Sequence, residues 1–376
     1  MASTVLVTGV TRFLGSSLVG LLAAGGNGPR VIGVDAALPD ARARERMGAA
    51  EFIRADIRSP LIARVIDEAR VDTVVHASTS VTPAAGSQRT LAKEMNVLGT
   101  MQLLAACQRS DRVENLIVRS TAAVYGGSPR DPAVLTEDSE PRALPTSGPA
   151  RDAVDIEGYL RGFIRRRPDV RVAVPRFAEI IGPTVQTPLT RYFSLSPVVP
   201  VTFGRDARLQ LVHESDAVAV LATLVTGDFA GTVNVAGDGV LTVTQAIHRA
   251  GRVPVPVLPN VMGLLGSGLR RLKLSGFSPE QVELLSHGRT LDTTRLREQV
   301  GVRLDFTTEE AFADFADRLD HPVRALSSLL GIPRWGARQP NEYPLPTDLP
   351  VPGEPSVPTV PRPDRPKLIS IDGGLA

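Results

Sequence analysis

Over its first 125 residues the chain alternates short β-branched runs with segments of helical period, and this rhythm restricts the fold more than any other feature. TVLVTG (4–9), RVIGVDA (30–36), EFIRADI (51–57), VDTVVHAS (71–78) and NLIVRSTAAVY (115–125) read as strands, mostly apolar throughout, as strands covered on both faces are. Between them, GSSLVGLLAAG (15–25), LIARVIDEA (61–69) and TMQLLAACQRS (100–110) repeat apolar residues at i, i+3, i+4. Strand, helix and strand in repetition make parallel βαβ units. The expected class is therefore α/β, a doubly wound parallel sheet of the Rossmann kind.

A helical pattern at 151–167 and the strand VRVAVPRF (170–177) continue the rhythm, which breaks after Pro183 into shorter, Pro-rich pieces. The expected division is a Rossmann domain over 1–182 with sheet returns near 206–237, and a smaller substrate lobe over 183–205 and 238–330. LQLVHESDAVAVLATLV and GTVNVAG are the returns; TVTQAIHRAG, NVMGLLGSGLRRLKL and SPEQVELLS are short helices around the lobe. From Pro333 to Pro366 eleven prolines exclude helix and central strand, so 331–376 is expected to be a disordered or polyproline-II tail.

Residues 7–18, VTGVTRFLGSSL, join the first strand to the first helix. Gly9 and Gly15 stand where a dinucleotide-binding turn needs a tight bend and close helix–strand packing, but Arg12 occupies the middle position, where glycine lets backbone approach a pyrophosphate. The helix start still offers free N–H groups to an anion, and a guanidinium is a good phosphate partner. The next strand ends in Asp35, about twenty residues on, where a carboxylate accepts the ribose hydroxyls of NAD.

Composition removes several alternatives. A net charge of +2 draws the chain to neither nucleic acid nor acidic membrane. The single cysteine, Cys107, lies on an apolar helix face and fits a reducing compartment. No leader pattern and no apolar run of about 18 residues is present, so the expected location is cytoplasmic, without a transmembrane segment. His76, His213, His248, His287 and His321 are scattered without ligand spacing, and no metal site is expected.

These residues resemble the extended short-chain dehydrogenase/reductase superfamily, in particular the NAD-dependent nucleotide-sugar epimerases and dehydratases, UDP-glucose 4-epimerase among them. The likeness spans about residues 3–325 and rests on VTGVTRFLG, ADI (55–57), VVHAS (74–78), NVLGTMQLL from Asn96, STAAVYG (120–126), RFAEIIGP (176–183), RLQLVHESDAV (208–218) and LDTTRLREQVGV (291–302). It implies that Phe13 and Leu14 offer backbone amides to the pyrophosphate and that Asp35 holds the adenosine ribose. Asp56 and Ile57 would frame the adenine, while Ala77 and Ser78 line the groove beside Asn96. Arg12 matches the arginine of TGxSRGxG loops that often favours NADP, whereas the Asp35 carboxylate would repel a 2′-phosphate; NAD is favoured over NADP. On the substrate side the resemblance implies Thr121 as the hydroxyl that orients the sugar and Arg208 as the grip on a nucleotide-sugar diphosphate. Glu179 stands where relatives carry a substrate asparagine.

The superfamily's reaction uses a Tyr-x-x-x-Lys pair, because a free phenol has a pKa of ~10 and needs a nearby cation to act as a base. Here Tyr125, Tyr159, Tyr192 and Tyr343 are followed four places on by Pro129, Phe163, Ser196 and Thr347. Matching on Glu157 puts Pro149 and Ala153 at the dyad positions, and sliding the register by three gives Thr146 and Ala150 instead; the only lysines are Lys93, Lys273 and Lys367. Arg151 with Asp152, or Glu179 from across the site, are the available substitutes; an Arg–Asp pair at a helix start reads first as a cap and surface ion pair.

The expected function is thus an epimerase/dehydratase-like protein acting on a nucleotide sugar by transient hydride transfer to bound NAD, without the usual dyad. The alternative is a non-catalytic protein that binds NAD or a nucleotide sugar and reports it to a partner. A third reading, an apolar substrate, rests on the helix near Met262. A homodimer and a protein partner for the Pro-rich tail stay open.

Overall fold

The computed structural model describes residues 4–25, 28–77, 87–142, 144–258, 279–319 and 368–369. Strands β1 (Thr4–Thr8), β2 (Arg30–Asp35), β3 (Glu51–Arg54), β4 (Thr73–His76), β5 (Asn115–Val118), β6 (Ser120–Thr121) and β7 (Arg171–Phe177) form the main sheet with two later strands. Three short ones follow β7: β8 (Glu179–Ile181), β9 (Val198–Thr202) and β10 (Arg208–Leu209). Five more strands follow among the described residues: β11 (Leu211–His213), β12 (Gly231–Val235), β13 (Leu241–Thr242), β14 (Val253–Val257) and β15 (Leu368–Ile369).

The sheet runs β12-β7-β5-β4-β1-β2-β3-β15 with every pairing parallel, and β6 adds to β7. The chain winds outward from β1 through β2 to β3, then returns to β4 on the other side of β1. The order therefore reverses between β1 and β4, which opens a crevice at the strands' carboxyl ends.

The alternation of side chains along β1 divides the core. Val5 and Val7 pack with Leu14, Leu18 and Leu22 of α1 (Phe13–Ala23), whereas Leu6 faces the opposite layer. α2 (Ala41–Met47) packs against α1 on the first face. The second face holds α3 (Leu61–Glu68) and α5 (Gly99–Arg109), which follows α4 (Ser87–Lys93), and then α6 (Gly148–Arg166). Cys107 is buried in this layer, and burial pushes its thiol up to about 12. α6 begins earlier than its periodicity suggests because Pro149 sits in the first turn, where a missing N–H costs nothing.

The smaller lobe has its own core, in which Tyr192, Phe193, Phe312 and Phe315 meet edge to face. It contains α7 (Pro188–Phe193), α9 (Val243–Arg249), α10 (Pro279–His287) and α11 (Thr308–Ala316). The two expected returns separate here. GTVNV joins the main sheet beside β7 as β12, but LVH pairs with β8 in a separate two-stranded sheet. The helix between them, α8 (Glu214–Thr226), returns to pack on α1.

Within the Pro-rich tail, Leu368–Ile369 pair with Phe52–Ile53 at the sheet edge; the rest of the tail, the helix near Met262 and Tyr343 lie outside the described residues. Among the described residues no helix is long and apolar enough to cross a membrane.

Candidate functional site

The glycine loop closes in the way its two glycines allow. Gly9 takes φ +81°, and its N–H donates to the Val34 carbonyl at 2.9 Å. A Cβ on Gly15 would stand 2.4 Å from the Gly9 carbonyl oxygen, so α1 can lie this close to the loop only without a side chain there. Arg12 is the exposed N-cap of α1, in extended conformation, and no side chain caps the helix. Phe13 and Leu14 follow at the first two helical positions; the Phe13 ring lies 5.5 Å from the Arg46 guanidinium and packs on the core under α1.

Asp35, at the end of β2, is held by the loop itself. Its Oδ2 accepts from the Thr11 N–H at 3.1 Å and the Thr11 hydroxyl at 2.6 Å, and its Oδ1 accepts from the Ala37 N–H at 3.2 Å. A cavity of about 360 Å³ opens beside it, lined by Gly9, Thr11, Arg12, Asp35, Ile57 and Asn96 among others. Asp56 is engaged differently. Its carboxylate takes a forked pair from Arg58 at 2.7–3.1 Å, and that bonding holds it below the usual carboxylate range. Ala77 is buried at the end of β4; Ser78 lies outside the described residues. The preceding His76 is structural, bonded to Thr8 and Thr100, and burial lowers it to about 4.

Beyond the switch point the chemistry changes. Asp152 does not pair with Arg151 at the surface. It is buried at the start of α6 and accepts from the Asn96 amide at 3.0 Å, while Arg151 bridges to Asp155. The expectation of a surface Arg151–Asp152 pair fails because neighbouring helical residues point about 100° apart, so one is buried when the next is not. Ala153 is buried and Pro149 half-buried, and neither these positions nor Thr146 and Ala150 in the other register carry a Tyr or Lys. Tyr125 is no substitute: its hydroxyl donates to Asn234 and accepts from Arg176, which forms a buried ion pair with Glu157 at 2.6 Å, and burial raises the phenol. Thr121 caps the short turn at 122–125 by accepting from the Ala123 N–H.

Four charged groups bridge the crevice and the lobe. Arg119, directly after β5, is 8% exposed, and Glu179 opens β8 just past the end of β7. Ser120 turns to Glu157, so by strand alternation Arg119 and Thr121 face the other way. Arg119 lies within electrostatic range of both Glu179 and Arg12, and Glu179 within range of Arg289. Burial pushes the Glu179 carboxyl up, against the pull of the two arginines. Arg289 anchors on the Gly126 carbonyl at 2.6 Å and lines a second cavity of about 440 Å³ together with Arg205, Arg208, His287, Asp131 and Ser128. Arg205 lies 2.9 Å from the His287 ring, which burial and this guanidinium hold below its ordinary value.

The structure thus gathers Gly9, Arg12, Asp35, Ile57 and Asn96 around one cavity and Arg208 at the other, with Thr121 and Glu179 outside both linings. Sequence reasoning missed Arg119, Arg205 and Arg289. A charge inside the apolar run LIVRST could have singled out Arg119; no local signal points to the other two.

Comparison with known proteins decides the family: the NAD dependent epimerase/dehydratase profile matches residues 5–236. The chain belongs to that family. Among curated proteins it is 47% identical over 346 residues to the uncharacterized protein Rv0501 of Mycobacterium tuberculosis, covering 89% of this chain and 92% of that one. Among solved structures, the UDP-glucose 4-epimerase of Thermotoga maritima superposes with a TM-score of 0.66 at 20% identity, covering 86% of this chain and 99% of that chain. A dTDP-glucose 4,6-dehydratase from Bacillus anthracis gives 0.64 at 18%, covering 84% and 96%. At these identities the superpositions speak for the fold of this epimerase/dehydratase-family chain.

Proposed function

We propose that this family member binds NAD along the crevice and a nucleotide sugar in the lobe cavity, and acts on the sugar by transient hydride transfer with a proton relay that uses no Tyr-x-x-x-Lys pair. The observation that carries the reading is the Asp35 carboxylate, fixed by Thr11 and Ala37 beside a cavity that begins at the glycine loop. The adenosine and pyrophosphate portion fits this half: the uncapped start of α1 and the Arg12 guanidinium suit phosphates, Asp35 suits the ribose diol, and Ile57 gives the base an apolar wall. Bound NAD would supply the hydride acceptor.

On the substrate side, Arg205, Arg208 and Arg289 give the lobe cavity the charge a diphosphate needs. Neighbours such as the Stenotrophomonas maltophilia epimerase with NAD and formylated UDP-arabinopyranose, and the Bacillus cereus enzyme with UDP-glucuronic acid and NAD, carry ligands of these two classes. Thr121 would orient a sugar hydroxyl, and Glu179, its carboxyl pushed up by burial against the pull of Arg289 and Arg119, stands at that end. Calorimetric titration with NAD tests the reading. Micromolar binding lost in Asp35→Ala supports it, whereas no binding of any dinucleotide removes it.

The absence of an ionisable group at positions 149 and 153, with Tyr125 locked between Asn234 and Arg176, favours a second reading. In that reading the protein binds the same ligands without turnover. NAD binding together with no turnover across UDP- and dTDP-sugars would select it.

A further inference from the structure

His287 closes α10 on the wall of the lobe cavity, and its neighbours fix its place. The Ser286 hydroxyl lies 3.0 Å from that of Thr202 at the end of β9, Gly288 turns the chain at φ +72°, and the Arg289 N–H donates to the Arg208 carbonyl of β10 at 3.1 Å. The ring therefore stands against the loop after β9, where Arg205 Nη1 lies 2.9 Å from its Nδ1. A guanidinium only donates, so this ring nitrogen accepts with its lone pair. An imidazolium has no lone pair to offer. The contact is open to the neutral ring alone.

The charges around the ring pull both ways. Asp131, which lines the same cavity, favours the charged form, as do the free carbonyls at the end of α10. Burial and Arg205 oppose them and hold the ring below its ordinary value. The other charged groups nearby already have partners. Asp131 accepts from the Ser128 N–H at 2.6 Å and Asp206 from the Thr244 N–H at 2.9 Å, while Arg289, beside Arg208, faces Glu179 and Glu283. A diphosphate thus brings two negative charges to a cavity whose cations are largely matched. Of the residues lining it, only His287 is of a type that gains a charge near neutral pH.

We propose that His287 admits a diphosphate to this cavity together with a proton: the ring is neutral while it accepts from Arg205, and takes up a proton when the diphosphate draws that guanidinium to itself. This rests on the reading of the lobe cavity above and deepens it, by naming the group that adjusts the cavity's charge to its ligand. The exchange is balanced. Arg205 trades a neutral acceptor for an anionic one, and the ring gains one proton from solvent. Asp131 and the end of α10 then face an imidazolium, which both favour. In a partly exposed site an adjacent negative charge favours the charged ring by about one pKa unit, so the linked effect on affinity is about tenfold. The bound ring keeps its proton to higher pH than the free ring. The added affinity is therefore complete below the free value and lost as pH rises through the bound one.

The test is calorimetric titration of the full chain with UDP-glucose and dTDP-glucose, whose diphosphates do not titrate near neutral pH, in paired buffers of unequal ionisation heat. The expected result is proton uptake that peaks near pH ~6.5, with affinity about tenfold weaker at about pH 8.5 than at about pH 5.5. His287→Gln should abolish the uptake and flatten the profile. Arg205→Gln should weaken binding and reduce the uptake, because the ring can then charge before the ligand arrives. Binding of either sugar nucleotide with no uptake and a flat profile overturns the proposal and leaves the lobe reading standing. Uptake that persists in His287→Gln overturns it by assigning the proton to another group, and uptake undiminished in Arg205→Gln overturns the exchange of partners. If neither nucleotide binds, the lobe reading itself falls and takes the proposal with it.

Discussion

The two sides of the switch point handle charge in opposite ways. On the β1–β2–β3 side the carboxylates at the crevice are held from within that half of the sheet: Asp35 by Thr11 and Ala37, Asp56 by Arg58 two residues on. On the β5–β7 side the charges come from distant segments. Some form a buried brace (Arg176 with Glu157 and Tyr125), and others interact at longer range (Arg119 and Arg289 with Glu179, Arg12 with Arg119). On the first side the loop itself holds the Asp35 carboxylate in place. The second carries Pro149 and Ala153 on α6, and its charged groups come from strand ends and lobe. On the proposed function, ligand holding and ligand chemistry would occupy different halves of the sheet, so one could change while the other stayed intact.

The largest expected effect tests the brace. Arg176→Met leaves Glu157 buried without its cation and should cost ~3–5 kcal/mol of stability, read from urea midpoints. A change under about 1 kcal/mol would mean that the second half is braced by packing instead. On the first side, Gly15→Ala drives a methyl toward the Gly9 carbonyl, which is backbone and cannot swing aside. The expected loss is ~1–3 kcal/mol with dinucleotide binding reduced in parallel, and unaltered binding would show that α1 can retreat from the loop at no cost to the receptor.

Asp35→Ala removes a charged acceptor from a ligand and should weaken NAD and ADP-ribose equally, by ~1.5–3 kcal/mol. Unequal weakening would place Asp35 outside the adenosine half. The smallest effect belongs to Asp56→Asn. The Arg58 pair is partly exposed, so the expected cost at neutral pH is ~0–1 kcal/mol. Because the folded carboxyl titrates below its unfolded value, the pair's contribution is present above about pH 4 and fades as pH falls through the folded value. The stability gap between wild type and variant should accordingly close in acid; a gap that widens would contradict the ion pair.

Much of the receptor half could be read from the chain because its determinants are local. Gly9, Gly15 and Asp35 lie within one βαβ unit, and the glycine spacing specifies the backbone that brings Thr11 onto the carboxylate. The β5–β7 half resisted because its parts are not neighbours in sequence. Asp152 reads as a surface residue from its polarity, yet the packing of α6 on α5 turns it inward to Asn96, 56 residues away. LVH reads as a strand of the main sheet from its hydrophobicity, yet it pairs with β8, since period and composition do not choose a partner.

By itself, then, the sequence determined a doubly wound parallel sheet, a glycine loop followed by Asp35 at the end of the next strand, and the absence of a Tyr-x-x-x-Lys pair. Each follows from side-chain chemistry at short, fixed spacing. The tertiary structure alone decided that Arg289 would reach the Gly126 carbonyl across 163 residues, and that Arg119, Glu179 and Arg12 would share one end of the crevice. Such meetings depend on how the lobe closes over the strand ends, and the free energy of that closure is set by the whole core, not by the residues that happen to meet.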